Sequence, residues 1–145
     1  MASRPTLEEL PPWAHRLLAD ERRGHLGLLD GEGAPRVLPV TYAVFDGCIW
    51  SAVDHKLKRV VGRDLARVRW LRAEPRSAFT VDGYEDDWDH LAWVQLLGAT
   101  EVLEAKRHGA VLDALAERYP QYRERRPEGP LLRLRPERAL CWRAG

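Results

Sequence analysis

Arg36-Val37-Leu38-Pro39-Val40-Thr41-Tyr42-Ala43-Val44 is followed by Asp46-Gly47 and then by Cys48-Ile49-Trp50-Ser51-Ala52-Val53. Two runs rich in β-branched and aromatic residues around an Asp-Gly pair read as a hairpin, because the favoured two-residue turn needs positive φ, which this pair tolerates. Upstream, Gly24-His25-Leu26-Gly27-Leu28-Leu29 reads as a further strand, joined to the first run by the turn sequence Asp30-Gly31-Glu32-Gly33. Three hairpin-linked strands in succession call for an antiparallel sheet. Pro39 cannot donate to a ladder, so the middle strand is expected at an edge or with a bulge.

The rest of the chain extends this unit. Thr6-Leu7-Glu8-Glu9 has capping-box form, and Leu10, Trp13, Leu17 and Leu18 support a helix to about Asp20, with Pro11-Pro12 confined to its first turn. From Val60 the period changes: Val61, Leu65, Val68 and Leu71 make one apolar helical stripe, which Glu74-Pro75 ends. Ser77-Ala78-Phe79-Thr80-Val81-Asp82 is a strand, 84–90 an acidic loop, and Leu91 to Leu103 a long strand bent at Gly98. Ala105 to Tyr119 is expected to be helical, 120–129 a polar connection, and 131–135 and 139–143 two closing strands around Pro136. The order predicts a mainly β protein, a small antiparallel barrel with helices at its ends, forming one domain over residues 1–145.

Composition narrows the function classes. The 145 residues, 45% apolar and 31% charged, suit a soluble globular domain, and no apolar run approaches the length of a membrane span. The N-terminal residues carry acids early and lack an apolar signal core, which reads as cytoplasmic. Cys48 and Cys141 form no CxxC pair, and His15, His25, His55, His90 and His108 show no ligand spacing, so no metal site is expected. A net charge of +1 argues against a general nucleic-acid binder, and the aromatic-basic interleaving of single-strand binders is missing.

Against that near-neutral background, residues 55–72 hold Lys56, Lys58, Arg59, Arg63, Arg67, Arg69 and Arg72 with one acid, Asp64. Two of the chain's three lysines fall in Asp54-His55-Lys56-Leu57-Lys58-Arg59, directly after a strand and before a helix. A charge run of this kind is most often a solvated helix face. At a strand end beside a helix start it is also what a phosphate-bearing cofactor needs.

The order of these pieces resembles a known family. Asp30-Gly31, then Pro35-Arg36-Val37-Leu38-Pro39-Val40, then Asp46-Gly47, then Asp54-His55-Lys56-x-Lys58-Arg59, then Leu71 four residues ahead of Pro75, is similar to the pyridoxamine-5′-phosphate-oxidase-like flavin split barrels. Asp82-x-Tyr84-x-x-Asp87-Trp88, Trp93-Val94 and Tyr119-Pro120-Gln121-Tyr122-Arg123 resemble the branch of probable F420-dependent enzymes. The resemblance implies a six-stranded antiparallel split β-barrel flanked by short helices. It also implies a homodimer with a flavin or deazaflavin in each of two interfacial grooves. It assigns Lys56, Lys58 and Arg59 to the cofactor phosphate, with Arg67 helping from the helix, since charge-assisted bonds to phosphate are strong. It assigns ring contacts to Val40, Thr41 and Ser51, and gives Trp88 as an aromatic cover. Trp70 departs from the branch, which commonly has an asparagine there.

On this resemblance the cofactor is F420, with flavin mononucleotide (FMN) as the alternative, and the activity is hydride transfer between the deazaflavin and a small unsaturated substrate. The anionic tail of F420 would meet surplus arginines such as Arg63, Arg67 and Arg123 to Arg126. Tyr84 and Tyr122 are candidate proton donors, and no catalytic residue is assigned. An FMN-dependent oxidase or reductase, and a non-enzymatic flavin- or haem-binding protein, stand as alternatives on the same barrel.

Overall fold

The structure, a computed structural model, describes residues 6–53 and 61–145, and of residues 61–65 the backbone only. Its helices are α1 (Pro12–Asp20), α2 (Val61–Ala73), α3 (Gly109–Arg118) and α4 (Pro120–Glu124). Its strands are β1 (Gly24–Leu29), β2 (Pro35–Val40), β3 (Ala43–Phe45), β4 (Cys48–Ala52), β5 (Arg76–Gly83), β6 (Ala92–Glu104) and β7 (Pro130–Arg143). All seven pair antiparallel in one sheet of order β2-β1-β5-β6-β7-β4-β3.

Among the described residues the sheet has seven strands and is not closed by a ladder, where the resemblance implied a six-stranded barrel. The run-by-run reading already gave seven strands, and two changes to it cancel in the count. The run 36–44 divides at Thr41-Tyr42 into β2 and β3, which pair with β1 and β4 at opposite ends of the sheet order. The expected pair 131–135 and 139–143 is a single strand, β7, carried past Pro136 by a bulge. There Leu97 pairs with Arg138 and Gly98 with Pro136, so Glu137 is the extra residue, and the missing proline N–H falls at the irregularity. Gly98 is required: a Cβ would lie 2.1 Å from the Arg135 carbonyl oxygen.

Because only Thr41 and Tyr42 separate the two edge strands, the sheet must curl until its edges nearly meet. Inside the curl lies the main core, with Leu26, Leu28, Phe79, Val81, Val94, Leu96 and Leu134 alongside Leu18 of α1 and Leu71 of α2. A second core packs Val111, Leu115, Tyr119 and Tyr122 of the α3–α4 segment on Cys48, Trp50 and Ala52. β4 is therefore buried along its whole length. Asp46 (φ 52°) and Gly47 (φ 70°) make the expected hairpin turn.

Local differences from expectation have local causes. The Thr6 side chain forms no cap bond and introduces a 3-10 turn (Leu7–Glu9); α1 begins afresh with Pro12 in its first turn. The expected helix 105–119 is a 3-10 turn (Ala105–Arg107) followed by α3, and the supposed polar connection contains α4, which Pro120 opens. Among the described residues no helix is long and apolar enough to cross a membrane.

Candidate cofactor site at the sheet seam

Hydrogen-bond parity along residues 35–45 decides what this stretch can offer. Asp30 N–H donates to the Ala34 carbonyl at 2.9 Å, so the bonded pairs of the first hairpin are Leu28 with Arg36, Leu26 with Leu38 and Gly24 with Val40. Even-numbered amides therefore face β1, and those of Pro35, Val37 and Pro39 face away from it. In the second hairpin the two-residue turn makes Phe45 with Cys48, and Ala43 with Trp50, the bonded pairs. Odd-numbered amides thus face β4. One bent strand serves two neighbours, and among the described residues the odd edge of β2 has no strand partner.

At the bend the side chains of Thr41, Tyr42 and Ser51 and the main chain of Tyr42 are all engaged. Ser51 Oγ donates to the Thr41 carbonyl at 2.7 Å, and the Thr41 and Tyr122 hydroxyls bond each other at 2.8 Å. The Tyr42 N–H donates to the Tyr119 hydroxyl at 3.0 Å, and the Tyr42 carbonyl accepts from Arg118 Nε at 2.8 Å. Tyr42 itself, fully buried, donates to the carbonyls of Leu18 at 2.5 Å and Glu21 at 3.1 Å. Burial drives its phenol well above the ordinary tyrosine range, outweighing the Arg118 guanidinium beside it. Arg118 reaches the Ala19 and Glu21 carbonyls at 2.7 and 2.6 Å and lies 4.8 Å over the Tyr42 ring. Sequence reading missed Arg118; its place beside Tyr119 at the end of α3 was a signal only in retrospect.

The expected site residues fall into three groups. Thr41 and Ser51 come together at the base of the seam, bonded as above. Val40 is beside them, but its side chain is in the core and parity turns its amide to Gly24. Lys56, Lys58 and Arg59 lie outside the described residues, three to six positions beyond Val53, whose N–H donates to the Pro130 carbonyl at 3.1 Å. Arg67 is half-buried on α2.

Trp88 is elsewhere. Ser51 pairs with Leu132 and through it lies level with Val102, whereas Trp88 precedes Ala92 at the other end of β6. Ten residues of strand, roughly 30 Å, separate those levels. One tricyclic ring bound to one chain cannot touch both. Trp88 is 68% exposed, and Trp93 and Trp142, paired across β6 and β7, are 37% and 47% exposed. A cavity of about 760 Å³ also lies at that end, lined by Trp13, Arg16, Glu85, His90 and Arg143.

Other expectations are corrected by contacts. Trp70 packs on the main core with the Arg36 guanidinium 5.0 Å over its ring, so it braces the first hairpin. Arg123 donates to the Ala116 and Glu117 carbonyls at 2.7 and 3.0 Å, and Arg126 pairs with Asp113 at 2.6 Å. These two hold α3 in place of an anionic tail. Of the two tyrosines, Tyr122 stands at the seam, while Tyr84 is 66% exposed on the far loop.

No family model matches the chain, and no curated protein matches it. Solved structures do. A haem-binding protein from Mycobacterium smegmatis superposes with a TM-score of 0.70 at 22% identity, over 93% of this chain and 55% of that one. An FAD-binding protein from Mesorhizobium loti matches with a TM-score of 0.64 at 21% identity, over 91% of this chain and 94% of that one. A pyridoxinephosphate oxidase-family protein from Clostridium acetobutylicum, related to a general stress protein, matches with a TM-score of 0.62 at 17% identity, over 90% and 86%. The chain therefore has the fold of the pyridoxamine-phosphate-oxidase-like proteins, a fold that carries flavin binders and haem binders alike.

Proposed function

We propose that this chain is a flavin-type oxidoreductase that uses F420, binding the cofactor along the open seam between β2 and the end of β4. The observation that carries the reading is the parity of residues 35–45. Among the described residues it leaves the odd edge of β2 without a strand partner, and in sequence β4 leads on to Lys56, Lys58 and Arg59. A planar ring with a phosphate-bearing chain has the shape and charge for that arrangement. When bound, the deazaflavin supplies two-electron hydride chemistry. The chain's own work is binding and orientation. The lysines and Arg59 hold the phosphate, Arg67 adds charge from α2, and the Thr41–Ser51 pair fixes the floor on which the ring rests. Tyr122, hydrogen-bonded to Thr41, is the tyrosine placed to exchange a proton with a ligand at the seam.

The site is completed by a second copy of the chain. Trp88 cannot reach the seam of its own subunit, so its role as a cover requires a homodimer, with the exposed Trp93–Trp142 pair at the contact. Light scattering should give twice the chain mass at micromolar concentration. The cofactor reading is tested by titrating the purified protein with F420 and with FMN, following tryptophan fluorescence; F420 is expected to bind more tightly.

A second reading has one specific support, the likeness to the haem-binding mycobacterial protein. Haem titration monitored in the Soret region decides it: a stoichiometric, shifted band with no response to either flavin-type cofactor would replace the oxidoreductase assignment.

A further inference from the structure

At the end of the sheet away from the seam, α1, the loop between β5 and β6 and the end of β7 surround an open cleft of about 760 Å³. That volume lies within the range of small-molecule sites, roughly 300–1,000 Å³. Its walls are fixed by contacts between segments far apart in sequence. The Arg143 guanidinium lies 5.3 Å over the Trp13 ring, and the Ala144 N–H donates to the Leu91 carbonyl at 2.9 Å. β5 runs so close to α1 that a Cβ on Gly83 would lie 3.3 Å from Leu17 Cδ1. Four charged residues on the cleft wall, Arg16, Asp20, Asp89 and Arg143, form no ion pair with any described residue. Elsewhere this chain pairs such groups: Arg36 with Asp30 at 3.6 Å, Arg126 with Asp113 at 2.6 Å and Arg133 with Glu101 at 2.9 Å. The unpaired charges are also sorted by sign. Trp13 and Arg16 are three residues apart on α1 and so share a face, which puts both guanidiniums beside Trp13. Asp20 follows one turn later, Asp89 comes from the loop, and Glu85 near it is held at 3.0 Å by His90.

We propose that this cleft is a second ligand site, for a zwitterion the size of a dipeptide with an apolar side chain. Its carboxylate lies against Arg16 and Arg143, and its ammonium lies against Asp20 and Asp89. A simple carboxylate would meet the acids of the cleft, and a simple amine its guanidiniums. A ligand carrying both signs satisfies each wall, and charge-assisted hydrogen bonds of this kind are the strong ones. Spacing sets the size. Arg16 and Asp20 stand four residues apart on α1, about 6 Å along the helix axis. One residue of extended chain spans at most about 3.5 Å and two span about 7 Å, so a dipeptide fits where a free amino acid falls short. Leu17, Leu91 and Ala92 supply apolar wall for the side chain. The inference is independent of the cofactor reading, because the seam lies at the other end of the sheet.

The test pairs changes in the ligand with changes in the protein, read by titration calorimetry. The probes are alanyl-leucine and alanyl-phenylalanine, their N-acetylated forms, their C-terminal amides, and free leucine and phenylalanine. The parent should bind the two dipeptides, and bind the acetylated forms, the amides and the free amino acids each roughly tenfold more weakly, the size of one lost charge-assisted bond. Arg16→Gln should bind a dipeptide and its amide alike, and Asp20→Asn should bind a dipeptide and its acetylated form alike. Both positions are exposed, so both variants should melt with the parent. The ligand series uses the parent alone and decides the matter even if a variant folds poorly. No binding of either dipeptide at millimolar concentration, or binding that blocking the termini leaves unchanged, would overturn the inference. So would variants that fold and keep the parent's preferences. Binding of F420 or FMN to the same protein bears on the cofactor reading alone, so the two can fail separately.

Discussion

Residues 40–45 and residues 35–39 belong to one bent strand, yet they have opposite characters. At the bend, Tyr42 gives its N–H to Tyr119, its carbonyl to Arg118, and its hydroxyl to the end of α1. A few residues earlier, Val37 stands exposed with an amide that no strand among the described residues receives. Buried polar groups without partners are costly, so the closed half must be fully satisfied, whereas the open half remains solvated until something binds. The contrast separates what holds the molecule together from what it offers to a ligand, and mutations on the two halves should differ in kind.

The largest effect is expected at the closed half. Arg118→Ala would take one donor from each of the carbonyls of Tyr42, Ala19 and Glu21 and should cost about 3 kcal/mol of stability, measured by urea denaturation. Next comes the basic run. Lys56→Ala or Lys58→Ala should weaken F420 and FMN by roughly tenfold to a hundredfold, about 1.5–3 kcal/mol, while the melting temperature hardly moves. If either variant instead loses stability and keeps its affinity, the division between the halves fails.

Tyr42→Phe should be milder, about 1 kcal/mol, and carries a pH signature. Its folded-state phenol is raised above the ordinary value of 10.0, so the folded protein holds the proton more tightly than the unfolded chain. That contribution is fully present below pH 10 and is lost as pH rises through the alkaline range. The parent should therefore lose stability above about pH 10 more steeply than Tyr42→Phe. Parallel curves would remove the phenol from the account.

The smallest effect concerns cofactor choice. With Arg123 and Arg126 engaged against α3, an F420 preference must come from arginines of α2 such as Arg63 and Arg67. Such contacts are screened over a Debye length of about 8–10 Å, so the preference should shrink with salt and in the double variant Arg63→Ala/Arg67→Ala. A preference indifferent to both would place selectivity in the ring.

How much of this was legible in the sequence follows from the range of each signal. The Asp46-Gly47 turn, the strands at 24–29 and 77–82 and the helix that ends before Pro75 are local, and each is where it was expected. Strand count was not local. Whether 36–44 is one strand or two depends on which neighbours its even and odd amides find, and whether Pro136 ends a strand depends on a bulge set by its partner Gly98. Thr41 and Ser51 were legible as neighbours. The Arg118 network was not, because its acceptors are backbone carbonyls far away in sequence, which composition does not mark. Trp88 read as a cover from its motif alone; only the ladder shows that it sits at the wrong end of its own chain.

Residue-resolved amide hydrogen exchange, with and without cofactor, tests the central contrast most directly. In the free protein the Val37 amide should exchange quickly, while those of Tyr42, Leu38 and Arg36 are protected by their partners. Saturating F420 or FMN should slow Val37 by at least roughly tenfold, the protection that a ligand-held donor acquires, and leave the Tyr42 amide as it was. Protection that appears instead at the far end of β6, or a Val37 amide that exchanges equally fast with cofactor bound, would contradict the account.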